Sequence, residues 1–117
     1  MGRGSLRRMD AEDEKLVTLA RAALARALVR TMPPTGAAVR DDMGRTYAAA
    51  TVEVDGASVT GLQLAVASAI SSGARAFEAA AIVGAQHDPA DEGLTALEAF
   101  GPVATVIRAR PDGSVVG

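Results

Sequence analysis

The sequence predicts an α/β fold, a three-layer α-β-α sandwich on one mixed five-stranded sheet, with elements in the order α-β-β-α-β-α-β-β. Three observations carry that expectation. Two stretches, 10–31 and 58–72, repeat small apolar residues at helical spacing. Short apolar runs bounded by Gly, Pro and Asp lie between and after them. The order also contains two strand–helix–strand crossovers, which should make the central strands parallel.

The first helix opens on Asp10, with Asp13 and Glu14 in its first turn and Arg26 and Arg30 in its last, charges that suit the helix dipole. Leu16, Leu19, Ala20, Ala23, Leu24, Ala27 and Leu28 form its apolar face, and Pro33 and Pro34 end it. GAAVR (36–40), the turn DDMG (41–44) and RTYAAATVEV (45–54) read as a β-hairpin, with Gly44 supplying the positive φ of the turn. A loop, DGAS, leads into the second helix, which Gly73 caps. AFEAAAIVG (76–84) reads as a buried strand. Asp88 and Pro89 resemble an N-cap followed by a first helical residue, and the short helix they open stops at Gly101 and Pro102. VATVIRA (103–109), the turn PDG and a short strand SVV close the chain.

Composition bounds the function. The chain has 117 residues, enough for one core, and the reading is a polar tail over 1–9 and a single domain over 10–117. Hydrophobic residues make up 49% and aromatics only 3%, so the core must be built from small side chains at close backbone spacing. A net charge of −2 gives no electrostatic reason to expect nucleic acid or a membrane surface as partner. The absence of cysteine removes disulfides, thiolate nucleophiles and every cysteine-based metal site. No apolar run approaches the roughly 20 residues of a membrane span, and the expected location is cytoplasmic.

In such a sheet, ligands gather at the carboxyl ends of the strands and the adjoining helix starts, here near 58–62 and 88–93. GAAVRDDMGRTY, TVEV (51–54), the run Thr60 to Gly73 and PADEG (89–93) together resemble the small homotetrameric cytidine deaminases, over about Lys15 to Val116. The resemblance implies a zinc ion held by three Cys, or by His and two Cys, and a glutamate that moves protons. It also puts Thr60 at the first zinc-ligand position, Leu62 at the catalytic glutamate, and Ala90 and Gly93 at the two remaining cysteines. The ring-stacking aromatic falls near Pro33. Glu53 matches a ribose-holding glutamate, while Thr51 replaces its asparagine partner. A hydroxyl, an alanine and a glycine cannot hold zinc, and leucine cannot move a proton. The expectation is a degenerate member with no catalytic residues, no cofactor and vacated positions Thr60, Leu62, Ala90 and Gly93.

Other candidates have plainer readings. His87 with Asp88 and Asp91 could form a substitute metal site, but a polar loop and helix cap account for them as well. Glu53 is a candidate ribose ligand, or equally an exposed strand residue or a partner for Arg45 or Arg75. Ser68, Ser71 and Ser72 belong to no nucleophile arrangement, and Arg108 and Arg110 read as solvated or edge-protecting charges. The resulting expectation is a non-catalytic structural or interaction protein, a homo-oligomer (dimer or tetramer) by resemblance, with an unidentified protein partner. The alternatives are a nucleoside- or nucleotide-binding module that uses Glu53 and Thr51, a cytidine deaminase by homology, or an enzyme of another mechanism.

Overall fold

A computed structural model describes residues 9–116. The expected tail therefore lies outside the described residues, apart from Met9, which packs against the core. Helix α1 spans Ala11–Leu24, with Asp10 as its N-cap accepting from the Asp13 amide at 2.9 Å. It ends seven residues short of the expected 31 because the chain there has a stronger use. The Leu28 amide donates to the Thr51 carbonyl at 3.0 Å, and the Glu53 amide to the Leu28 carbonyl at 2.7 Å, pulling the segment against the sheet. Leu19 and Leu28, expected in the apolar face, are exposed, whereas Leu16, Val17, Ala20 and Ala23 are buried.

The strands are β1 (Gly36–Asp41), β2 (Thr46–Ala50), β3 (Val52–Val54), β4 (Ala57–Val59), β5 (Phe77–Val83) and β6 (Thr105–Ala109). Helix α2 spans Gly61–Ser71 and α3 spans Glu92–Leu97. The main sheet has four strands in the order β2-β1-β5-β6, and β3 pairs with β4 in a separate two-stranded sheet. The expected single five-stranded sheet is thus corrected. SVV contributes only one bridge, Ala109 to Val115, and the expected loop DGAS begins with a tight Asp55-Gly56 hairpin turn. The central pair is antiparallel, because β1 inserts between β2 and β5; only β5 and β6 run parallel.

Side-chain alternation divides the core into two layers. Ala38, Ala79, Ala81, Val83, Ile107 and Ala109 face α1, while Ala37, Val39, Ala80 and Ile82 face α2 and α3. The three-layer arrangement is therefore the expected one. Alanine on both faces lets the helices approach closely. At Gly36 even a methyl group is too large, since a Cβ there would lie 2.1 Å from the Ala20 carbonyl oxygen and 2.5 Å from the Leu24 nitrogen. The one deeply buried charge of the sheet, Asp41, accepts the Met43 and Arg45 amides and the Arg45 guanidinium, each at 2.9 Å. Burial alone would push its carboxyl up, but these donors outweigh it and hold Asp41 below its ordinary value.

Candidate functional site

The starts of α2 and α3 lie side by side, as the crossover reading requires. Thr60 caps α2: its hydroxyl accepts the Gln63 amide at 3.0 Å, and the Gln63 side chain accepts the Thr60 amide at 2.9 Å. The same hydroxyl donates to Asp91 Oδ1 at 2.8 Å, and that oxygen accepts the Gly93 amide at 2.8 Å. Gln63 Nε2 reaches Glu92 at 3.2 Å. One hydrogen-bonded chain therefore joins the two helix starts. Asp91, not Asp88, is the cap of α3. Asp88 instead accepts the Ala90 amide at 2.8 Å, closing a turn through Pro89 before the helix begins.

Beneath that chain the packing is dry. Leu62 is 0% exposed and belongs to the core of the α2 layer. It presses on α3 so closely that a Cβ at Gly93 would meet the Leu62 Cβ and Cγ at 2.8 Å and the Gln63 nitrogen at 2.7 Å. Ala90 is exposed on the turn.

Thr51 and Glu53 are both buried and both engaged with their own chain. The Thr51 hydroxyl accepts the amides of Thr35 at 3.2 Å and Gly61 at 3.1 Å, and lies 2.7 Å from the Thr35 hydroxyl. Glu53, 8% exposed, holds the segment after α1. Its Oε1 accepts the amides of Arg30 and Thr31 at 2.6 Å and of Met32 at 2.9 Å, and its Oε2 accepts the Thr31 hydroxyl at 2.6 Å. Those donors, Met32 foremost, lower its pKa from 4.5 to about 2. Neither expected arginine is its partner. Arg45 pairs with Asp41, and Arg75 donates to the Ala74 carbonyl and stacks over Phe100.

A cleft of about 310 Å³ opens at the carboxyl ends of β5 and β6, where the topology leads one to look for a ligand. Thr60 and Asp91 line it from the helix starts, Pro33 and Met32 from the segment after α1, and Ile82 and Arg108 from the sheet. His87 and Asp88, with Thr35 and Gln86, complete the wall. His87 Nε2 lies 3.0 Å from the Ala109 carbonyl oxygen, which can only accept, so Nε2 is the donor. Among the described residues no three His, Cys, Asp or Glu side chains come together as a metal-holding group. Arg108, on the edge strand β6 as expected of an edge charge, is half-buried and also forms part of the cleft, while Arg110 is exposed and bonds Ser114. The sequence carried a signal for this. Alternation along VATVIRA places Arg108 on the same face as Val106, under α2 and α3.

A family profile described as Cytidine deaminase-like matches residues 9–113. Among solved structures, the fold is similar to cytidine deaminase from Burkholderia pseudomallei, with 24% identity and a TM-score of 0.69 over 92% of this chain and 91% of that one. It is similar to cytidine deaminase from Mycobacterium tuberculosis at 24% identity and a TM-score of 0.71, covering 91% and 89% of the two chains. For the Mycobacterium leprae cytidine deaminase the values are 20% and 0.69, over 92% and 93%. A comparison by sequence with curated proteins returned no match. With the profile spanning nearly the whole chain and the layers agreeing with these structures, the chain belongs to the cytidine deaminase-like family.

Proposed function

We propose that this chain is a non-catalytic member of its family, retained as a structural or interaction protein. The observation that carries the reading is the junction of the two helix starts. A zinc-dependent deaminase needs thiolate or imidazole donors and a proton-moving carboxylate there. The residues present do not fit a zinc ion. Ala90 and Gly93 offer no side-chain donor, and the chain contains no cysteine. The Thr60 hydroxyl is already acceptor to Gln63 and donor to Asp91. Leu62, at the position assigned to the glutamate, is an apolar packing residue with no proton to give. A Thr60–Asp91 hydrogen bond does the joining that a metal would do.

A cytoplasmic homo-oligomer, dimer or tetramer, is part of the same proposal, with the exposed Leu64 of α2 and Leu28 as apolar contact surface. The alternative is a nucleoside-binding module built on Glu53 and Thr51. It would require Glu53 to give up four hydrogen bonds within its own chain. Two assays on purified, tag-free protein test the proposal: elemental analysis for zinc, and ammonia release from cytidine and deoxycytidine. We expect neither stoichiometric zinc nor ammonia. Stoichiometric zinc with turnover would overturn the reading.

A further inference from the structure

We propose that the cleft at the carboxyl ends of β5 and β6 binds a small zwitterion of the free amino acid class, its carboxylate on Arg108 and its ammonium at Asp88 and Asp91. The inference rests on the non-catalytic reading in one respect, that the site serves a ligand other than a deaminase substrate.

The first support is the state of Arg108. Strand register sets it beside Ile82, so the guanidinium rises from the floor of the cleft next to an apolar neighbour. Among the described residues it makes no side-chain hydrogen bond and no ion pair. Lys15, Arg30, Arg40 and Arg45 have carboxylate partners, and Arg21, Arg75 and Arg110 bond a carbonyl or a hydroxyl, whereas Arg26, which like Arg108 makes no side-chain bond among the described residues, is exposed. A guanidinium with no partner in its own chain is free to take a carboxylate in a charge-assisted, bidentate pair.

The second support is the acids that share this lining. Asp88 and Asp91 each use only Oδ1 within the chain, on Ala90 in one case and on Gly93 and Thr60 in the other. Among the described residues neither pairs with Arg108, although all three line the same cleft. The fold thus holds opposite charges apart on the walls of one cavity. The lining carries one guanidinium and two carboxylates. A plain anion seated on Arg108 would meet two like charges, and a plain cation on the acids would meet Arg108. A molecule with both charges satisfies both walls. The volume also fits, since about 310 Å³ sits at the lower end of the roughly 300–1,000 Å³ of small-molecule sites. Met32 and Pro33 supply an apolar wall for a side chain.

The test is calorimetric titration of the whole chain with the common free L-amino acids. Each binder is repeated as its N-acetyl and its C-terminal amide derivative, and cytidine is titrated alongside. We expect at least one free amino acid to bind, both derivatives to weaken by about tenfold or more, and Arg108→Gln and Asp88→Asn each to weaken by a similar factor with circular dichroism unchanged. The proposal is overturned if no amino acid binds, if a derivative binds as tightly as its parent, or if cytidine alone binds. It is also overturned if a folded Arg108→Gln retains full affinity. Should Arg108→Gln not fold, the derivatives decide on the native chain. Ammonia release is read separately, so failure of the non-catalytic reading and failure of this one are distinguishable.

Discussion

Three backbone amides converging on one carboxylate oxygen make Glu53 the point at which the segment after α1 is fastened to the small sheet. Its depressed pKa fixes the sign of a pH effect. A carboxylate whose folded pKa is about 2, against 4.5 ordinarily, stabilises the fold fully above pH 4.5. That stabilisation is lost as the pH falls through about 2. Glu53→Gln should therefore be less stable than the native chain at neutral pH, and the gap should close on acidification. Chemical denaturation at a series of pH values reads the difference, and a gap independent of pH would show that the charge is not what matters. Asp41 and Asp112 are also held low and contribute to acid sensitivity, but they are common to both proteins and cancel in the comparison. At this scale the sequence was only half legible. That Glu53 is special could be read from the resemblance. That it turns to residues 30–32 could not, because nothing in VEV tells which backbone amides will come within reach.

The two crossover helices meet through Thr60 and Asp91, and their coupling is measurable. Thr60→Val removes the cap of α2 and should cost about 1 kcal/mol. Asp91→Ala should cost about as much at α3. Made together, the two should cost less than the sum by about 0.5–1.5 kcal/mol, because the hydrogen bond between them can be lost only once. Additive losses would mean that the helix starts are merely neighbours. Packing below the junction is equally specific: Gly93→Ala should destabilise by about 1–3 kcal/mol, read by thermal or chemical melts, because the new methyl group meets Leu62. Element boundaries show where sequence reading succeeds. Asp10 and the start of α1 were legible because a cap is a local event. The capping box Thr60-Gly61-Leu62-Gln63 is equally local and equally legible in the sequence. The end of α1 was not legible, since helical spacing continues through Leu28 and only the sheet decides otherwise. The start of α3 shifted from Asp88 to Asp91 for the same reason: Thr60, distant in sequence, selects the cap.

Over the whole molecule the layers followed from the order of elements, while the sheet did not. Alternating helices and strands imply a sandwich, but no periodicity states that β1 will insert between β2 and β5. Nor does composition show that β3 and β4 will leave the main sheet at Thr51. At this scale belongs the assembly prediction. Light scattering on the native chain should give the mass of a dimer or tetramer, and Leu64→Arg, placed on the exposed side of α2, should shift that mass toward the protomer. A monomer in the native chain would remove the homo-oligomer from the proposal.

The alanine floor beneath the helices has a consequence for how this chain can vary. With Ala37, Ala38, Ala79, Ala80 and Ala81 fully buried and Gly36 against the backbone of α1, these positions have little left to lose by truncation. They have a great deal to lose by growth. Most globular cores are damaged chiefly by deleting atoms; here added methyl groups along β1 and β5 would lever the layers apart. Drift in this protein is therefore bounded from above in side-chain volume, and its strands can change readily only where they face outward.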